Sequence, residues 1–147
     1  KAFLDLELPG TKVVVGDGPQ LETLKREYPD VHFAGAKVGE DLARYYASAD
    51  VFVFPSLTDT FGNVLLESLA SGVPVAAYPV MGPLDVIGDT GAGVLSENLQ
   101  EAALAALDIP RDDCRKMALN YTWAASAQQF LDNACIARER PKLANAA

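Results

Sequence analysis

Four residues in one short stretch have the types and the spacing to do chemistry. Asp59, Gly62, Asn63 and Glu67 lie in the run Asp59-Thr60-Phe61-Gly62-Asn63-Val64-Leu65-Leu66-Glu67, which follows an apolar, strand-like segment. Glu67 is the only charged residue between Asp59 and Asp85, and its neighbours are almost all apolar. A carboxylate is costly to bury uncompensated, so Glu67 is expected either to be held by local hydroxyl and amide donors or to face a polar ligand. Gly62 and Asn63 stand where a helix begins. The amides of Asn63, Val64 and Leu65 would therefore be unpaired, with the positive end of the helix dipole behind them, an arrangement that suits a phosphate or diphosphate. Glycine at 62 would let such a ligand approach the backbone closely. Asn63 and Glu67 are four residues apart and share one helix face, while Asp59 stands out on the loop. Two carboxylates around an amide cluster could hold hydroxyl groups on either side of a diphosphate. The plainer alternative stays open on spacing alone: Glu67 accepting bonds from Ser68, Ser71 or a loop amide, and Asp59 an ordinary loop acid.

The elements that must position these residues alternate along the chain. Short β-branched or apolar runs at Lys12 to Val15, Val31 to Ala34, Val51 to Phe54, Val73 to Ala77 and Gly93 to Ser96 read as strands. Between them, helical patterns run from Pro19 to Pro29, Gly39 to Ser48 and Asn63 to Ser71, with a Gly82-Pro83 turn and a short helix before the fifth strand. Such alternation predicts an α/β fold, a Rossmann-like parallel sheet with helices on both faces. Ligands of such sheets bind outside the carboxyl ends of the strands. Three loops stand there: Gly16-Asp17-Gly18-Pro19, Ser56 to Asn63, and Tyr78 to Pro83. The first resembles the opening of a dinucleotide fingerprint, but the third glycine position is Leu21, and a plain turn explains it equally. Lys1 to Leu8 reads as the end of a helix. From Glu97 three helical patterns follow, Asn98 to Leu107, Pro110 to Asn120 and Thr122 to Ile136, the last with Thr122 as N-cap and Trp123, Ala127, Phe130, Leu131 and Ala134 at helical spacing. Residues 137–147 read as a frayed polar tail.

Composition bounds the partners. With 147 residues, 50% of them hydrophobic, the chain can bury a real core. A net charge of −8 leaves no basic face for nucleic acid. No apolar run approaches the roughly 20 residues that span a bilayer. Cys114 and Cys135 lack metal-type spacing and read as free thiols of a reducing, cytoplasmic compartment. His32, on a strand, reads as structural.

The run from Asp59 to Val75 resembles the acid-x7-Glu signature of family 4 (group 1) retaining glycosyltransferases of the GT-B fold. Val13-Val14-Val15-Gly16-Asp17-Gly18-Pro19, His32-Phe33-Ala34-Gly35, the segment from Tyr45 to Ser56 and the Trp123 helix follow in the family's order, so the resemblance covers residues 1–136. It implies the C-terminal, donor-binding half of a two-domain enzyme that moves a sugar from a nucleotide diphosphate sugar to an acceptor hydroxyl with retention. By position, Asp59 and Glu67 would be the acidic pair of the active site, Asp59 at the transferred sugar and Glu67 on the ribose hydroxyls. Backbone of Thr60, Phe61 and Gly62 would meet the sugar, and the amides of Val64 and Leu65 the diphosphate, with Asn63 also among the donor-binding residues. Lys37 and Val38 would lie against the base, beside the Gly16 and Gly18 turn. No metal or other cofactor is implied, because amides and basic side chains neutralise the diphosphate in this family.

Two departures qualify the resemblance. Asp at 59, where the family usually has Glu, keeps the charge but reaches one methylene less far. The family's opening strand, its Gly-Arg pair and the following Lys have no counterpart here, and Lys1 is not equated with that lysine. The expectation is therefore a piece of a longer protein, inactive alone, whose acceptor domain lies outside it. The absent strand would be central, between the strands at Lys12 to Val15 and Val51 to Phe54, with its gap filled by further residues, a neighbouring chain or closure of the sheet. Peripheral membrane contact, at the inner face, would belong to the other half, and an oligomer would be one way to cover the open edges. Two other functions remain: a stand-alone nucleotide or phosphate-ligand binding module, and a GT-B nucleotide-sugar epimerase.

Overall fold

The computed structural model describes residues 1–59 and 61–139. Strands and helices alternate as β1 (Val13–Val15), α1 (Leu21–Glu27), β2 (His32–Gly35), α2 (Gly39–Ser48), β3 (Phe52–Phe54), α3 (Asn63–Ala70), β4 (Val75–Ala77), α4 (Met81–Val86) and β5 (Gly93–Leu95). Three helices close the order: α5 (Leu99–Ala106), α6 (Arg111–Ala118) and α7 (Trp123–Glu139). Every strand pairing is parallel.

The strands form two sheets rather than one. β1 pairs with β2, and β3, β4 and β5 pair in that order. Among the described residues no ladder joins β1 to β3, so the break falls where the absent central strand was expected.

The three-stranded sheet organises the core. All three residues of β4 are fully buried, and alternation of side chains across a strand sends them to two faces. Val75 and Ala77 join Leu65 and Leu69 of α3, Val86 and Ile87 near the end of α4, and Cys114 of α6. Ala76 faces the other way, onto Ala102, Ala103 and Ala106 of α5. Small residues on both sides let α5 lie close against the sheet. Asn98 caps α5, accepting from the amides of Gln100 at 3.2 Å and Glu101 at 3.3 Å. Arg111 ties α6 to the end of α2 through the carbonyls of Ala47 and Ala49, each at 2.8 Å. Cys114 and Cys135 are both free, as expected.

Three details differ from the sequence reading. Residues 1–8 form no helix: a single turn closes through Asp5 N–H to the Lys1 carbonyl at 3.0 Å, Leu4 alone is buried, and the Glu7 amide donates to Gln100 Oε1 at 2.9 Å. Gly82 and Pro83 sit inside the first turn of α4 instead of in a turn before it, which Pro tolerates because that turn's amides need no helical partner. α7 runs to Glu139, into what was read as tail. Thr122 begins it, its Oγ1 accepting the Ala125 amide at 3.0 Å, while Trp123, Phe130 and Leu131 stay exposed. Among the described residues no helix is long and apolar enough to cross a membrane.

Candidate functional site

The loop after β3 is shaped by its own short side chains. Ser56 Oγ donates to the Thr58 carbonyl at 2.9 Å, and Asp59 Oδ1 accepts the Phe61 amide at 3.0 Å, turning the chain toward α3. Gly62 then takes the N-cap position of α3 with φ +76°, a left-handed conformation that favours glycine. A Cβ there would stand 2.8 Å from Leu65 Cδ1. Gly82 of α4 packs against the same loop, where an added Cβ would meet Asp59 Cβ at 3.3 Å. An open crevice of about 640 Å³ lies in front of it, lined by Leu57, Thr58, Asp59, Val80 and Met81.

Among the described residues no side chain caps α3. Among the described residues the amides of Asn63 and Val64 have no hydrogen-bond partner. The Leu65 amide differs from expectation: it donates to the Gly62 carbonyl at 2.9 Å, so the open pair is Asn63 and Val64. An i to i+3 bond of this kind tightens the first turn of the helix.

Glu67 also departs from its expected setting. Leu65, Ser68 and Leu69 form the buried stripe of α3, whereas Asn63, Glu67 and Ala70 lie exposed on the opposite side. The carboxylate is therefore not desolvated, and the cost that made it look anomalous does not arise. The shared face with Asn63 is present. Ser68 does not donate to Glu67, as its hydroxyl bonds the Val73 carbonyl at 3.0 Å, and Ser71 Oγ donates to the Glu67 backbone carbonyl at 2.9 Å. The side-chain partner is Tyr46 of α2, whose hydroxyl donates to Glu67 Oε2 at 3.1 Å. Burial of the ring, then the charge of Glu67 and the hydrogen bond to it, push the Tyr46 phenol up to about 12.

The remaining candidates lie at the carboxyl ends of β1 and β2. Gly16 donates its amide to the Gly35 carbonyl at 3.0 Å, and the Gly18 amide turns back on Asp17 Oδ1 at 2.7 Å. Lys37 places its ammonium 5.9 Å from the Tyr45 ring centre, and Val38, which precedes α2, is 82% exposed. Among the described residues no hydrogen bond joins the Gly16 to Gly18 turn to the α3 loop. Thr60 lies outside the described residues. His32 stands exposed at the start of β2. Tyr46 was not singled out as a site residue from the sequence, because it acts through a contact 21 residues away; Gly82 lay in the Tyr78 to Pro83 loop named there, but its packing against Asp59 was not legible.

Among the described residues, the arrangement offers two open amides at a helix N-terminus with one carboxylate before it and another one turn along it. A sequence profile of the family described as "Glycosyl transferases group 1" matches residues 7–111. The GDP-mannose-dependent alpha-mannosyltransferase of Corynebacterium glutamicum is 36% identical over 132 residues, spanning 82% of this chain and 32% of the relative. That of Mycobacterium tuberculosis is 45% identical over 83 residues, 56% of this chain and 22% of the relative. Among solved structures, the sucrose-phosphate synthase of Thermosynechococcus elongatus superposes with TM-score 0.71 at 28% identity, covering 94% of this chain and 41% of that one. HepE of Anabaena, in complex with UDP-glucose, shares the fold with TM-score 0.67 at 19% identity, covering 92% of this chain and 43% of that one. The chain thus spans about a third of the first relative's length.

Proposed function

Because this chain belongs to the group 1 glycosyl transferases, we propose that it forms the donor-binding half of an enzyme that transfers a sugar from a nucleotide diphosphate sugar to an acceptor hydroxyl. The transfer proceeds with retention at the anomeric carbon and without a metal ion. The observation that carries this reading is the pair of open amides at Asn63 and Val64, flanked by the carboxylates of Asp59 and Glu67. Fixed N–H groups with a helix dipole behind them suit a diphosphate, and they stabilise it most as it departs. Negative charge grows on the leaving phosphate when the anomeric C–O bond breaks, so preorganised donors bind the transition state better than the ground state.

In this reading Asp59 accepts from hydroxyls of the transferred sugar in the crevice before it, with backbone of Thr60, Phe61 and Gly62 alongside. Glu67 accepts from the two ribose hydroxyls. Lys37 and Val38 rest against the base, near the Gly16 and Gly18 turn. The names of relatives support the donor class: two depend on GDP-mannose and HepE holds UDP-glucose. The acceptor is bound by a further domain, and the 147-residue chain alone is inactive.

Calorimetric titration of the chain with UDP, GDP and ADP tests the site. At least one should bind, and Glu67→Gln should weaken it by about 1–3 kcal/mol, the scale of a charged hydrogen bond lost. Undiminished affinity in Glu67→Gln, or no binding of any of the three, refutes the assignment. Retention is read from the anomeric configuration of the product made by the longer protein, and metal independence from turnover in EDTA. Turnover by this chain alone in a radiolabelled transfer assay would contradict the division into halves.

A further inference from the structure

Glu67 is exposed and carries three rotatable side-chain bonds, so left to itself its carboxylate would sample many positions. Tyr46 limits that freedom. Its ring is half-buried and sits edge-on to Phe52 of β3, with ring centres 5.5 Å apart and planes at 68°. Phe52 in turn lies 6.3 Å from Phe54, and both pack against the main core. The hydroxyl is thus carried on a ring fixed by aromatic packing, and it meets Glu67 Oε2 at 3.1 Å. A carboxylate has about four lone-pair directions, so a single phenol donor leaves Oε1 and the rest of Oε2 available. The phenol also remains protonated, and therefore a donor, far above neutral pH.

We propose that Tyr46 is a positioning residue for the donor site: its hydroxyl holds the Glu67 carboxylate in the orientation that receives the vicinal hydroxyls of the donor's ribose. The proposal rests on the reading of Glu67 as the ribose ligand. It gives α2 itself a role at the site, beside Lys37 and Val38, which precede it. The effect should be specific to ligands with ribose hydroxyls, because among the described residues the Tyr46 hydroxyl bonds only Glu67 and no hydrogen bond joins it to the α3 amides or the Asp59 loop.

Tyr46→Phe keeps the ring against Phe52 and removes only the hydroxyl. The experiment compares the tightest of UDP, GDP and ADP with its 2′,3′-dideoxy counterpart, by calorimetry on the chain and on Tyr46→Phe, Glu67→Gln, Glu67→Ala and the Tyr46→Phe/Glu67→Ala double variant. Tyr46→Phe should weaken the ribose form by about three- to tenfold, the usual worth of one hydrogen bond, leave the dideoxy form unchanged, and add nothing in the Glu67→Ala background. Equal weakening of both forms would make Tyr46 a structural tie between α2 and α3 and overturn the proposal. So would unchanged ribose binding in Tyr46→Phe while Glu67→Gln loses affinity, a result that leaves the donor-site reading standing. If Glu67→Gln changes nothing, the donor-site reading fails first and this proposal with it.

Discussion

At position 62 any side chain is opposed twice, by a φ of +76° and by Leu65 Cδ1 standing 2.8 Å from where a Cβ would be. Gly62→Ala should therefore destabilise the fold by about 1–3 kcal/mol, read as a lower denaturant midpoint at unchanged slope. A midpoint equal to wild type would contradict the strain. Tyr46 supplies a second test with a definite sign. Its phenol ionises near 10 when unfolded and at about 12 when folded, so the folded chain retains a proton that the unfolded chain gives up. That stabilisation is complete below pH 10 and is lost as pH rises toward 12. Stability should fall more steeply over this window in wild type than in Tyr46→Phe, and parallel slopes would contradict the shift. Residue identity was legible in the sequence here, but environment was not. Apolar neighbours made Glu67 look buried, although the stripe of Leu65, Ser68 and Leu69 turns it to solvent. That orientation follows from helical geometry once the buried face is known, whereas the Tyr46 partner 21 positions away does not.

Among the elements, α3 links site and core. Its outer face carries Asn63 and Glu67, and its inner face buries Leu65 and Leu69 against β4 and α6. Leu69, with no exposed surface, should cost about 2–5 kcal/mol when changed to Ala, measured by chemical denaturation. A loss below 1 kcal/mol, the scale of a single methylene, would show that the packing is looser than the structure indicates. Several elements were legible: Val13–Val15, Phe52–Phe54 and Gly39–Ser48 fall where the pattern puts them, within a residue or two, and the helix behind Thr122 starts where its cap puts it but runs three residues further, to Glu139. Residues 1–8 did not, because Ala2, Phe3 and Leu4 fit a helical pattern while the segment's actual partners, Gln100 among them, are distant in sequence. Local pattern carries secondary structure, and long-range contact overrides it at such an end.

For the whole molecule, the parallel α/β design was legible from alternation alone, whereas the interruption between β1 and β3 was expected only from the family resemblance, whose opening strand has no counterpart here. The family match over residues 7–111 spans both sheets, so they belong to one inherited fold even though no ladder joins them. What the chain holds of the proposed site is its donor end, centred on the N-terminus of α3. The most direct measurement is amide chemical-shift mapping of the ¹⁵N-labelled chain during titration with the nucleoside diphosphates and with inorganic diphosphate. Inorganic diphosphate should move the amides of Asn63 and Val64 most, and the nucleotide should add changes around Glu67, Tyr46 and Lys37. Shifts that leave Asn63 and Val64 unmoved at saturation would contradict the proposed site.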